Sequence, residues 1–107
     1  SCVMYGVSDD ILNNTETLEK ELLVALRKDN FSILDVSSRT FTPQGFTIAV
    51  LLSESHAVIH TYPEYNSLYF NIYSCRGEND GVAVFEQLKN YVQPSDITVS
   101  SQKISVV

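Results

Sequence analysis

Reactive and basic side chains are scarce in this sequence. Its 107 residues include two cysteines, two histidines, seven lysines or arginines and no tryptophan. Two cysteines, Cys2 and Cys75, make no disulfide framework of the kind that staples small secreted domains. Each reads on its own as a reduced, partly buried thiol. The seven cations are scattered against thirteen carboxylates, for a net charge of -6. Binding to phosphate backbones needs clustered Lys and Arg, so nucleic acid is excluded as a partner. The longest apolar run, residues 48–52, falls far short of the roughly 20 residues needed to cross a bilayer. No cationic lead followed by an apolar stretch reads as a signal peptide. The expectation is a soluble, cytoplasmic protein with no membrane partner. Four glycines and 19% charged residues leave no disordered or low-complexity tract.

What is present suits one compact core. Hydrophobic residues make up 44% of the chain, and a chain of this size forms a single domain, residues 1–107. No repeat or linker divides it. From Asn13 the pattern is helical: Leu18, Leu22, Ala25 and Leu26 fall on one stripe. Asn13 with Glu16 resembles a capping box. Glutamates 16, 19 and 21 near the start and Arg27 and Lys28 at the end suit the helix dipole. Ser32 to Val36 reads as a short strand, followed by a loop through Pro43 and Gly45. Phe46 to Leu52, Ala57 to Tyr62 and Leu68 to Tyr73 are rich in β-branched and aromatic residues, with turn chemistry at 63–67. They predict an antiparallel meander. Gly81 to Val92 returns to helical spacing before Pro94, and 97–99 and 104–107 read as final strands. The expected fold is α+β, a two-layer sandwich of βαβββαβ-like order with helices on one face of an antiparallel sheet.

Alternation assigns faces. Val58, His60 and Tyr62 share one side of their strand, and Ala57, Ile59 and Thr61 the other. Leu68, Phe70 and Ile72 share a face opposite Tyr69, Asn71, Tyr73 and Cys75. Pairing through the turn then lays the side carrying His60 next to the one carrying Cys75, with the apolar side covered.

The scarce reactive groups are concentrated in one stretch: Ser55, His56, His60 and Cys75. From the residues alone, several readings stay open. Two His and one Cys lack the spacing that organises a metal site, and no metal is expected. No GxSxG elbow announces a hydrolase. A small thiol protease of Cys75 and His60 is geometrically allowed. A hydrogen-bonded strand histidine and a buried structural cysteine are the commonest state of such residues.

The ordered whole resembles the short, prokaryotic-type S-adenosylmethionine decarboxylases, which are pyruvoyl enzymes. The residues carrying the likeness are Ser53-Glu54-Ser55-His56, then Ile59-His60-Thr61, then Pro63-Glu64-Tyr65, with Cys75 twenty positions after Ser55. Upstream, Thr40-Phe41 with Pro43 and Gly45 looks like the family's loop. The match is specific from about Phe41 to Cys75 and extends to both helices in placement only.

The resemblance implies self-cleavage of the Glu54–Ser55 bond. Ser55 Oγ attacks the Glu54 carbonyl and turns an amide into an ester, which can undergo β-elimination where an amide does not. By similarity His60 takes the Ser55 Cα proton, a task that imidazole chemistry suits. A pyruvoyl group derived from Ser55 then caps residues 55–107, forms an imine with the substrate amine and serves as electron sink. Cys75 is the implied donor that returns a proton to the substrate α-carbon. Phe41 matches one adenine-stacking position. Tyr62 stands where the family has Trp, offering a smaller ring, and Glu64 is expected at the ribose or the turn. Implied partners are S-adenosylmethionine and a second copy of the chain in a homodimer, with polyamine synthesis as the setting. The Tyr62 replacement leaves a pyruvoyl-dependent ornithine or arginine decarboxylase as the alternative, and a non-catalytic regulatory homologue stands as the reading from another class. The chain opens at Ser1-Cys2-Val3-Met4 where the family has a Gly-x-His lead, and it ends soon after Ile104, so an altered assembly is expected. No cluster of buried acids calls for a small-amine activator.

Overall fold

The structure, a computed structural model, describes residues 1–77 and 79–106. In chain order the elements are β1 (Cys2–Tyr5), α1 (Asp9–Asn13), α2 (Thr15–Lys28), β2 (Ile33–Thr40), β3 (Phe46–Leu52), β4 (Ser55–Tyr62), a 3₁₀ turn (Pro63–Tyr65), β5 (Ser67–Tyr73), α3 (Val82–Val92) and β6 (Asp96–Val99). The strands form one six-stranded sheet in the order β2-β3-β4-β5-β1-β6. Every neighbouring pair is antiparallel. The predicted α+β sandwich is what forms, and the four strands read between the long helices are β2 to β5.

Period-two burial explains why the sheet has one covered face. Phe46, Ile48, Val50 and Leu52 of β3, Ala57 and Ile59 of β4, and Leu68 and Phe70 of β5 are buried. They meet Leu18, Leu22, Ala25 and Leu26 of α2 and Val84, Leu88 and Val92 of α3 in one core. Each fully buried Leu, Ile or Phe contributes roughly 1.5–3 kcal/mol through its area alone, so slipping a strand by one residue would be prohibitive. Among the described residues, the other face of the sheet carries no helix. It presents alternate residues, among them His56, His60 and Tyr62 from β4 and Tyr69, Asn71 and Tyr73 from β5.

Several local expectations shift. Asn13 is the last residue of α1, and Asn14, with φ -86 and ψ 74, caps α2 by accepting from the Thr17 amide at 3.3 Å. Two helices abut there, so the cap falls one residue later and the capping box is not made. β2 runs on to Thr40 because β3 gives it a full-length partner. The first strand, which the sequence reading did not single out, is held between β5 and β6. Residues 104–106 form no strand, since the sheet ends at β6, and Val107 lies outside the described residues.

Candidate active site

The β3–β4 hairpin turns on two residues, Ser53 and Glu54, between the paired Leu52 and Ser55. Glu54 adopts φ 60. Glycine or asparagine takes this left-handed conformation readily, whereas for other residues it costs roughly 1–2 kcal/mol. Strain is thus stored one residue before Ser55. Ser55 opens β4 on the covered side, only 6% exposed, and its Oγ accepts a hydrogen bond from the Cys75 amide at 3.2 Å. Two residues twenty apart in sequence are brought together because β4 and β5 pair, with His56 opposite Tyr73.

Cys75 lies just past β5, with its Sγ 3.5 Å from Tyr73 Oη. This contact, first by hydrogen bonding and then by charge, raises the Tyr73 phenol above its ordinary value. Tyr73 stacks on His56 at 5.7 Å between ring centroids, and His56 Nε2 meets Asn71 Oδ1 at 3.1 Å.

The loop after Cys75 is anchored by charge. Arg76 reaches Asp80 through Nε at 2.7 Å and Nη2 at 2.8 Å, and donates from Nη1 to the Asp29 carbonyl at 2.7 Å. Its guanidinium also covers the Phe31 ring. Ser74 Oγ donates to Asp80 and accepts from the Arg76 amide. The Arg76 bond is the main reason that the Asp80 carboxyl is lowered to about 2. Sequence reading missed this cluster: Arg76 and Asp80 have helical i,i+4 spacing but sit in a loop, and Asp29 is 47 residues away.

The remaining predicted residues gather elsewhere. His60 points to the open face, its Nδ1 2.8 Å from Thr47 Oγ1 and its ring tilted over Tyr69. Together with Phe41, Gln44, Tyr62 and Glu64 it lines a shallow cleft of about 280 Å³. Gln44 Nε2 contacts Glu64 Oε2 at 3.5 Å. Phe41 and Tyr62 are 47% and 43% exposed, so both rings have free faces. The Thr47 contact follows from register, since Thr47 is directly opposite His60. Along β4, His60 is about 16 Å from Ser55 and on the other side of the strand. Within one chain, then, Ser55 meets Cys75 at one end of β4, and His60 meets Phe41, Tyr62 and Glu64 at the other. Among the described residues no group of three or more His, Cys, Asp or Glu is placed to hold a metal ion, and no helix is long and apolar enough to cross a membrane.

Comparison with known proteins decides the family. Residues 2–103 match the sequence profile described as S-adenosylmethionine decarboxylase. The chain belongs to that family. It is 39% identical over 90 residues to the S-adenosylmethionine decarboxylase proenzyme of Brevibacillus brevis, covering 84% of this chain and 68% of that protein. It is 35% identical over 91 residues to S-adenosylmethionine decarboxylase proenzyme 2 of Bacillus cereus, covering 85% and 74%. A crystal structure of the adenosylmethionine decarboxylase from Aquifex aeolicus has the same fold, with a TM-score of 0.82 at 22% identity over 97% of this chain and 92% of that one.

Proposed function

We propose that this chain is a proenzyme that cuts itself between Glu54 and Ser55 and then decarboxylates S-adenosylmethionine, with residues 1–107 acting as one pyruvoyl-decarboxylase-like domain. The observation that carries the reading is the Cys75 amide on Ser55 Oγ beside the strained Glu54. Ser55 Oγ bonds to the Glu54 carbonyl carbon, the C–N bond breaks, and the hydroxyl proton ends on the freed Ser55 nitrogen. Removal of the Ser55 Cα proton then breaks Cβ–Oγ, and residues 1–54 leave as a new carboxylate. Water replaces the nitrogen, which departs as ammonia, so the pyruvoyl group caps residues 55–107. Negative charge gathers on the Glu54 carbonyl oxygen during attack and on Oγ as the Cβ–Oγ bond breaks. The Cys75 N–H faces Oγ, orienting it before attack and stabilising it on departure, and opening the Glu54–Ser55 link relieves the φ 60 backbone.

The pyruvoyl group, when present, supplies a carbonyl for the substrate amine and a sink for the electrons released with carbon dioxide. Around it, Cys75 returns a proton to the substrate α-carbon, Phe41 and Tyr62 flank the adenine, and Glu64 takes the ribose hydroxyls. His60 is the base for the Cα proton. Because it lies at the far end of β4 from Ser55 in its own chain, it is supplied by a second copy. A homodimer joined through the open sheet faces, with strands reversed by a two-fold axis, sets the Ser55–Cys75 end of one chain against the His60 cleft of the other. A cleft of about 280 Å³ is at the small end of ligand sites, roughly 300–1,000 Å³, and gains its missing wall in this way. A cytoplasmic location and supply of the aminopropyl donor for spermidine synthesis belong to the same reading.

The test is intact-mass analysis under denaturing conditions. The expected result is two fragments, 1–54 and 55–107, the second with a pyruvoyl N-terminus, and one uncut species of 12.0 kDa, less one oxygen, for Ser55→Ala. A wild-type chain that stays whole on long incubation overturns self-cleavage. Carbon dioxide released from ornithine or arginine but not from S-adenosylmethionine overturns the substrate.

A further inference from the structure

Among the described residues near the proposed cut, Arg76 makes more polar side-chain contacts than any other, yet no step of the chemistry above uses it. Its fork grips Asp80 through two nitrogens, and its third nitrogen reaches the Asp29 carbonyl at the C-terminal end of α2. The Asp29 carboxylate is also within 3.2 Å, and the guanidinium carbon stands 3.6 Å over the Phe31 ring centre. The side chain remains 37% exposed, and exposed ion pairs contribute little to folding. So many bonds at so exposed a residue call for another role.

The partners of Asp80 point to that role. Ser74 Oγ donates to Asp80 and accepts the Arg76 backbone amide at 3.1 Å. Asp80 therefore ties down the residues on both sides of Cys75, one through its hydroxyl and the other through its guanidinium. The peptide plane between Ser74 and Cys75 is held in the middle of this ring, and its N–H is the group that meets Ser55 Oγ at 3.2 Å. A donor aimed at a developing charge loses most of its effect when it drifts by an ångström.

We infer that Arg76 and Asp80 are positioning residues for self-cleavage: by clamping residues 74–76 to the end of α2 they keep the Cys75 amide aimed at Ser55 Oγ. The inference rests on the reading of Ser55 as nucleophile. Neither residue touches the reacting atoms.

The experiment follows the cutting of freshly refolded precursor by mass, with melting curves by circular dichroism on the uncut Ser55→Ala background. Arg76→Gln and Asp80→Asn are expected to cut about tenfold more slowly or worse at a temperature where both are fully folded. Arg76→Lys, which keeps the charge but loses the fork, is expected between them and wild type. Leu23→Ala, a packing change in α2 that touches none of the clamp's hydrogen bonds, controls for stability: it should lower the melting temperature as much or more while cutting within about twofold of wild type. Wild-type rates in Arg76→Gln and Asp80→Asn overturn the positioning role, as does slowing in Leu23→Ala that matches theirs. Failure of both clamp variants to fold also overturns it, because the cluster is then a determinant of the fold. A wild-type chain that never cuts at Glu54–Ser55 removes the underlying reading instead, so the two failures are told apart.

Discussion

Asp80 is the carboxylate most displaced from its ordinary behaviour among the described side chains. Its partners are the Arg76 guanidinium first, with the Ser74 hydroxyl and the Gly81 amide as well. A carboxyl whose folded value lies below the unfolded one adds stability above the unfolded value and loses it as pH falls through the folded one. Here the window runs from 3.8 down to about 2. Melting temperature should therefore fall more steeply across that window in the uncut Ser55→Ala protein than in the same protein carrying Asp80→Asn, and parallel curves would show that the Arg76 bond adds nothing to folding. How much of this scale is legible in sequence depends on where the partner lies. Thr47 can be assigned to His60 once β3 and β4 are laid side by side. Ser55 and Cys75 meet through the β4–β5 pairing, which the turn residues at 63–67 announce. Arg76 finds Asp29 only because the end of α2 passes beneath the loop, and no local pattern encodes that.

At the scale of elements, the strands with clean alternation were readable to within a residue or two, since burial on one face fixes both their limits and their register. β3 matches its predicted span in full. β1 is four residues long and has no room for a period to show. It forms because β5 and β6 offer open edges on either side. The hairpin between β3 and β4 carries a consequence for the chemistry. Glu54 at φ 60 stores roughly 1–2 kcal/mol that a glycine would not. Glu54→Gly is expected to leave the melting temperature of the uncut chain equal or higher and to slow cutting by several-fold, up to about tenfold, the equivalent of 1.4 kcal/mol. The rate is read by mass against time. Cutting at the wild-type rate would show that the turn's strain is not spent on the reaction.

The molecule as a whole is where sequence reading and single-chain geometry part. A list of Ser55, His60 and Cys75 suggests convergence within one chain, but β4 is a straight ruler that keeps Ser55 and His60 about 16 Å apart and on opposite sides. If His60 serves a neighbouring chain, defects should complement. His60→Ala chains alone should stall, whereas His60→Ala chains refolded together with Ser55→Ala chains should be cut, because the latter still carry the base. A mass label on one partner identifies which chain is cleaved, and an uncut mixture would return the base to its own chain or to another residue.

The strand order has one more outcome. A cut after Glu54 assigns β1, β2 and β3 to one piece and β4, β5 and β6 to the other, yet β1 lies between β5 and β6. The two products are woven through each other like fingers of clasped hands, and neither can leave without pulling a strand from the middle of the sheet. If the proposed cut occurs, each mature protomer is a permanent pair of fragments made from one chain. It can be assembled easily only before the cut, while its halves are still tethered, because afterwards each half must find the other by diffusion and close the sheet around a strand it no longer carries.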